Sequence, residues 1–265
     1  MRFQTINCCS GLTTEVPRTF RRAQFVSAYY EYNGHKVSTM TISGLDVVSA
    51  IVERRSIRRF LDRPVSLDTV RAILSQAARA PSATNSQPWL VHVVSGDTRR
   101  RISEAVLAAT DVELVKQPYY PYFPTDAGEP YQSRRAEFGI AMTELDGFNR
   151  RDPEGLRQAL RMNYLFFGAP VGLFFCLERK MLYGSWVDVG MFMQNVMLLA
   201  RGHGLDTCAQ VSWTNYGAIL HKELSLPDDR VIVAGMSLGF ADPEAKPNDL
   251  RTKRATIDEF ATFHS

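Results

Sequence analysis

Cysteine is scarce in this chain, and what there is shows no pattern. Cys8 and Cys9 are neighbours, whereas Cys176 and Cys208 sit inside apolar runs. There is no CxxC pair and no Cys/His spacing of a zinc site, so no metal centre is expected. The two later thiols read as buried and free, which fits a reducing cytoplasm. Long hydrophobic runs are also missing. A membrane-spanning helix needs about eighteen or more consecutive apolar residues. The longest apolar stretches here, around 166–177 and 191–200, are interrupted by Gly, Pro, Gln or Asn. They read as buried elements, and no membrane partner is expected. Charge of one sign is not in excess either. A formal net charge of +3 gives no general argument for nucleic-acid binding, so each basic patch is read locally. Neither a GxGxxG nor a Walker loop occurs. His92, His203 and His221 are scattered, and none is arranged with a Ser or Cys as in a catalytic triad.

What is present has the balance of an ordinary soluble globular protein. The 265 residues are 45% hydrophobic and 22% charged, enough for a sizeable core in one large domain or two small ones. Residues 1–40 carry no helical or strand period. Arg2, Arg18, Arg21 and Arg22 face only Glu15 and Glu31 as acids, a bias shared with transit peptides. No apolar segment follows the basic residues, as a secretory signal requires. Patterned sequence begins directly after Met40. Residues 1–40 are therefore read as a disordered extension, or as the product of an upstream start with Met40 as the natural beginning, and residues 41–265 as a single domain.

Leu45, Val48, Ile51 and Val52 recur at helical spacing and predict a helix to about Arg54. Pro64 breaks the chain and Ser66 is a good N-cap. Leu67, Val70, Ile73, Leu74 and Ala77 then form the apolar face of a second helix, which Pro81 ends. A strand is predicted over 89–94 and a helix over 98–109. Residues 111–135 hold Pro118, Pro121, Pro124 and Pro130 among Tyr119, Tyr120, Tyr122, Phe123 and Tyr131, too many prolines for a regular element. A loop of this length is usually functional or disordered, and its aromatics argue against plain disorder. Helices follow over 136–145 and 153–162, a buried strand over 171–177, and a strongly apolar helix over 185–201. A strand over 205–211, a helix over 214–224 and a strand over 231–238 complete the pattern. Strict strand–helix–strand alternation is absent at the start, which favours an α+β sandwich with one central sheet and helices on its faces. The helix over 185–201 is apolar almost all round and belongs in a large core or a subunit interface, so an obligate dimer is expected.

Three polar segments carry the chemistry. Arg54, Arg55, Arg58 and Arg59 fall within six positions, with Ser56 and Ile57 breaking the helical pattern among them. Such a cluster can be a solvated helix end. On a turn, its guanidinium groups can grip phosphate or paired carbonyls at two points. Pro81 to Trp89 is a rigid polar loop that also suits a plain helix-to-strand turn. Within it, Ser82 offers a hydroxyl, and the Asn85 amide both donates and accepts. A third cluster, Arg251, Lys253 and Arg254, reads as a charged surface loop or as a phosphate site. Together the segments suit an anionic, planar, hydrogen-bond-rich ligand, and a flavin mononucleotide is such a ligand.

Arg54-Arg55-Ser56-Ile57-Arg58, the loop from Pro81 to Trp89, Gly204-Leu205-Asp206-Thr207-Cys208 and Arg251-Thr252-Lys253-Arg254 occur in the order found in FMN-dependent nitroreductases. Over residues 41–265 the chain resembles that family, and most of all its nitrobenzoate- and nitroarene-reducing branch. The resemblance implies an α+β sandwich with a mainly antiparallel sheet and an intertwined homodimer with FMN at the subunit interface. It implies that Arg54, Ser56 and Arg58 contact the flavin ring and ribityl chain, with Arg55 adjoining through its backbone or the phosphate. Ser82 and Asn85 match positions that approach the flavin, partly from the other subunit. Ala209, Gln210 and Val211 match the segment whose backbone lies near flavin N5. Arg254 matches a phosphate-binding arginine, supported by Arg251 and Lys253. Some branches carry a Glu-Gly pair near N5 where this chain has Ala209-Gln210. The implied activity is ping-pong hydride transfer from NADPH or NADH, through the flavin, to an aromatic acceptor, with no side chain required as nucleophile. Residues 111–135 would be a lid on aromatic substrates or a dimer-wrapping arm. Reductive dehalogenation of halogenated phenols or tyrosines, and non-catalytic flavin binding, are the alternatives.

Overall fold

The computed structural model describes residues 29–32, 35–38, 46–112, 118–121, 123–147 and 152–265. Of residues 1–40, only β1 (Tyr29–Tyr32) and β2 (His35–Ser38) fall among these. They form an antiparallel pair where the sequence shows no strand period. The remainder of that segment lies outside the described residues.

The body of the protein is an antiparallel sheet of β3 (Leu90–Ser95), β4 (Val171–Glu178), β5 (Asp206–Gln210) and β6 (Arg230–Gly239), in the spatial order β3-β4-β6-β5. Both faces are covered, so the α+β sandwich with a mainly antiparallel sheet is what the chain forms. In β4, Val171, Leu173, Phe175 and Leu177 point to one core while Phe174 and Cys176 point to the other. This is the period of two that the pleat imposes. The first core is closed by α2 (Leu67–Ala77) and α6 (Tyr183–Gly202), through Val70, Ile73, Val189, Phe192 and Val196. The second is closed by α3 (Gly96–Asp111), α5 (Pro153–Tyr164) and α7 (Gly217–Leu224), through Ile102, Val106, Tyr164 and Leu220.

A bulge in β6 keeps this division consistent. Phe175 pairs with Ala234 but Cys176 pairs with Ile232, which leaves Val233 as an extra residue. Val233 and Ala234, neighbours in sequence, therefore both join the α2/α6 core. Without the extra residue, one end of β6 would present its apolar set to the wrong face. On the other face two large rings lie flat against bare backbone. A Cβ on Gly172 would sit 2.2 Å from Phe166, and one on Gly235 would sit 2.4 Å from Trp213. Phe166 and Trp213 are both wholly buried.

Two elements differ from expectation. The helix α4 (Tyr131–Asp146) begins five residues before the expected 136. Pro130 stands just ahead of it, where a missing N–H costs nothing, so the proline-rich loop ends sooner. That loop is partly pinned to the body. Tyr119 packs against Gly217 and lies 5.8 Å from the His221 ring. The Tyr120 hydroxyl donates to the carbonyl of the bulged Val233, and its ring meets Trp186 edge-on at 4.6 Å. The expected helix over 214–224 opens as a 3-10 turn, Val211–Tyr216, before α7 begins. The first helix, α1 (Val47–Glu53), ends where the sequence reading places its end, and its apolar face is outward: Val47 is 72% exposed and Val52 75%, and only Ala50 is buried.

Candidate functional site

The arginine turn owes its position to β5. Ser56 forms a parallel bridge with Thr207, and the Ile57 N–H donates to the Thr207 carbonyl at 3.0 Å. Ile57, 1% exposed, anchors the turn in the second core. Downstream, the Phe60 N–H donates to the Phe167 carbonyl and the Leu61 N–H to that of Phe240. Residues 56–61 thus form a ribbon that starts against the open edge of β5 and crosses the end of the sheet past β6 toward β4, and the guanidinium groups project from it.

The four arginines separate by partner. Arg59 is neutralised, because its Nη2 lies 2.6 Å from Asp146 Oδ1. Arg58 lies over the Phe138 ring, 5.0 Å from its centroid. Arg55 Nη1 donates to the Asn248 carbonyl at 2.7 Å. Arg251 Nη1 reaches the same carbonyl oxygen at 3.4 Å. Arg254 folds onto the carbonyls of Thr252 and Lys253. Among the described residues, none of Arg54, Arg55, Arg58, Arg251, Lys253 and Arg254 has a carboxylate within salt-bridge distance. Phe138, Arg251, Lys253 and Arg254 line an open cavity of about 680 Å³, together with Arg134 and Glu259. Uncompensated cations gathered at one place repel one another, and an anion bound there relieves that cost.

Asn248 is the residue the sequence reading missed. It is 6% exposed. Its Oδ1 accepts from the Arg58 and Arg59 N–H groups at 2.9 and 3.1 Å. Its Nδ2 donates to the carbonyls of Arg59 and Asp242 at 2.8 and 2.9 Å. An asparagine in a polar, proline-flanked loop gives no local sign of such partners.

β5 presents the second feature. In a strand, the N–H and C=O of one residue point to the same side and alternate along the chain. The Thr207 carbonyl faces the ribbon, so the main-chain groups of Ala209 face the same open edge. Ala209 is exposed, in contrast to its neighbours Cys208 and Gln210. The Gln210 side chain turns inward and is fully engaged: Ser237 Oγ donates to Oε1 at 2.6 Å, and Nε2 donates to the Asn163 carbonyl at 2.6 Å. The same alternation turns the main-chain groups of Gln210 toward Gly235 of β6, so Ala209 rather than Gln210 offers main chain at this edge, and Val211 follows where the strand ends. Cys208 lies next to the arginine turn, and burial pushes its thiol up, opposed by Arg58, the Ser56 hydroxyl and Arg54. Burial likewise pushes Cys176 up to about 12, opposed by Arg230. Both thiols stay protonated and are no nucleophiles at neutral pH.

The Ser82–Asn85 loop forms a separate group. Ser82 Oγ accepts from the Gln87 N–H at 3.0 Å, and the Ala83 N–H donates to Asp188 Oδ2 on α6 at 3.3 Å. Thr84, Asn85 and Gln87 all have positive φ, at 51°, 59° and 47°. Asn85 is exposed, and its amide has no partner among the described residues. Neither this loop nor residues 54–58 line the cavity, but residues 55 and 58 are tied to Asn248 and this loop is not. Within one chain, the structure gathers Arg55, Ser56 and Arg58 with Arg251 around Asn248 and leaves Ser82 and Asn85 apart.

A two-faced α+β sandwich with a cationic ribbon at its open edge defines the class. Residues 51–240 match the model of the nitroreductase family, and the chain belongs to it. Nitrobenzene nitroreductase of Ectopseudomonas oleovorans is 42% identical over 214 residues, which cover 80% of this chain and 94% of that protein. The 4-nitrobenzoate reductase of Pseudomonas putida is 36% identical, with 82% and 95% covered. The crystal structure of the FMN and NADPH-dependent nitroreductase NfnB from sphigopyxis sp. strain HMH superposes with a TM-score of 0.81 at 38% identity, covering 83% of this chain and 100% of that one. An iodotyrosine dehalogenase 1 homolog of Caenorhabditis elegans is 24% identical over 56% of its own length, a weaker basis for the dehalogenase alternative.

Proposed function

We propose that this protein is an FMN-dependent oxidoreductase that passes hydride from NADPH or NADH to nitroaromatic acceptors, which take turns in one site. The observation that carries this reading is the group of uncompensated cations around Asn248, at the open edge of a nitroreductase-family sandwich. FMN, when bound, supplies the ring that accepts a hydride from the nicotinamide and gives it up to the acceptor. The chain binds and orients. Arg55, Arg58, Arg251, Lys253 and Arg254 hold the phosphate and ribityl end. Arg54 and Ser56 lie at the start of the ribbon, toward the ring. The main chain of Ala209 and Val211 offers hydrogen bonds at the sheet edge. The acceptor gains two electrons per turnover. A nitro group yields a nitroso group and water, and a second turnover yields the hydroxylamine, each turnover consuming one NAD(P)H and one proton. No side chain is assigned a catalytic role.

The working unit in this proposal is a homodimer. Ser82 and Asn85 of the partner subunit complete the ring's site, because neither makes a described contact with the arginine group of its own chain. The outward valines of α1, with Leu182 just before α6 and Tyr183 at its start, at 79% and 88% exposure, are the surface a second copy would cover. Sedimentation equilibrium tests this, since a monomer at micromolar concentration would overturn it. Among the described residues no helix is long and apolar enough to cross a membrane. The free buried thiols Cys176 and Cys208 support assignment to a reducing cytoplasm.

The direct test of activity is the visible spectrum of the purified protein. A yellow spectrum should bleach with anaerobic NADPH and recover when 4-nitrobenzoate is added. A colourless protein that takes up no added FMN sinks the proposal. Bleaching without recovery keeps the flavin and removes the nitroaromatic acceptor.

A further inference from the structure

We infer that Asn248 is a positioning residue for the anionic end of the cofactor, joining the two halves of the phosphate site. The inference rests on the FMN reading above. The cations come from two segments, 54–58 and 251–254, which are nearly 200 residues apart in sequence. The described contacts that tie them at the site converge on Asn248. Its side chain makes four hydrogen bonds, accepting from the N–H groups of Arg58 and Arg59 and donating to the carbonyls of Arg59 and Asp242. That uses both lone pairs of the oxygen and both protons of the nitrogen. Its own carbonyl accepts from Arg55 and Arg251. One buried residue therefore fixes the backbone from which Arg58 projects and brings a guanidinium from each segment onto one oxygen atom.

The side-chain bonds set geometry rather than charge. Asn248 carries no charge, and its polar side-chain atoms are all engaged with protein, so it does not itself hold the ligand. Asp242 stays tied to the ribbon by its own N–H, which donates to the Arg59 carbonyl, but loss of the Asn248 side chain would let the 245–251 segment drift from the ribbon and split the cations into two weaker sites. A phosphate held by both segments loses at least one charge-assisted hydrogen bond in that case, each worth about tenfold or more in affinity. Flavin binding away from the phosphate would be spared.

The test compares FMN with riboflavin, which has the same ring and ribityl chain but no phosphate. Both dissociation constants are measured on apoprotein by quenching of flavin fluorescence, for wild type, Asn248→Ala and Asn248→Asp. Asn248→Asp keeps the acceptor for Arg58 and Arg59 and loses both donors. The expected result is a rise of about tenfold or more in the FMN constant with the riboflavin constant within about twofold, so that wild-type preference for FMN collapses. A structural role alone would raise both constants together and leave their ratio unchanged, which overturns the inference. So does a wild-type ratio in both variants, or failure of both to fold. Wild-type protein that binds neither flavin refutes the cofactor reading instead.

Discussion

Replacing Gln210 by methionine separates what β5 does for the fold from what it does for the ligand. Gln210 is 3% exposed and its amide bridges Ser237 and Asn163, each at 2.6 Å. Methionine has similar length and volume, so the change removes polar partners without opening a large cavity. Ser237 is wholly buried, and stranding its hydroxyl costs about 1–3 kcal/mol. Asn163 is half-buried, so its carbonyl regains some water, at a cost of about 1 kcal/mol. The variant should lose about 2–4 kcal/mol in all. Ser237→Ala alone strands one lone pair of Gln210 and should cost about 1–2 kcal/mol. The double variant removes both members of the buried pair. Its cost should fall short of the sum of the single changes by about 1–2 kcal/mol, the coupling expected of contacting partners. The assay is guanidinium denaturation followed by tryptophan fluorescence at fixed protein and flavin concentrations, since bound ligand shifts apparent stability. The FMN dissociation constant of folded Gln210→Met should stay within about threefold of wild type, because the Gln210 side chain turns inward, away from the proposed ligand edge. Wild-type stability, or flavin binding lost with stability kept, would refute the reasoning.

Arg254→Ala should raise the FMN dissociation constant about tenfold, the worth of one charge-assisted contact, with riboflavin binding unchanged. Equal weakening of both ligands would place Arg254 away from the phosphate. Gly172→Ala drives a methyl group into the Phe166 ring and should destabilise by about 1–3 kcal/mol. A second change, Phe166→Leu, should recover part of that in thermal melts, and no recovery would show that the ring is not the obstacle. Burial holds His203 below the usual imidazole range, and burial assisted by Arg230 does the same for His92. The folded state thus favours the neutral rings, the unfolded chain binds more protons, and stability should decline as pH falls through about 6.5. His203→Gln should flatten the fall in melting temperature between about pH 7 and pH 5.5, and an unchanged slope would remove His203 from the account.

Legibility followed the range of the interactions. Helix α2 could be read from its own residues: the spacing of Val70, Ile73 and Ala77, and the Ser66 cap that accepts from Thr69. The arginine turn was legible as a cationic, non-helical run, but not the sorting within it. That Arg59 is spent on Asp146 while Arg58 is free of carboxylates depends on a helix almost ninety residues away. Gln210 was legible by position but not by direction, since the inward turn of its amide is set by Ser237 across the strand pair. The spacing of Val48, Ile51 and Val52 predicted helix α1 but not where its apolar face lies, because periodicity reports such a face without saying what covers it. Asn248 left no trace, because its partners are backbone groups, which every residue has.

The knot at Asn248 also bears on how the protein is made. The N–H groups of Arg58 and Arg59 are emitted from the ribosome long before their acceptor, which follows 190 residues after Arg58. At roughly 5–20 residues per second, the ribbon waits on the order of ten to forty seconds for its partner. Through that interval the nascent chain holds its arginines without the residue that joins them to Arg251. In the proposed site, phosphate capture would therefore follow the synthesis of Asn248, and a nascent chain stalled before that residue should bind FMN no better than riboflavin.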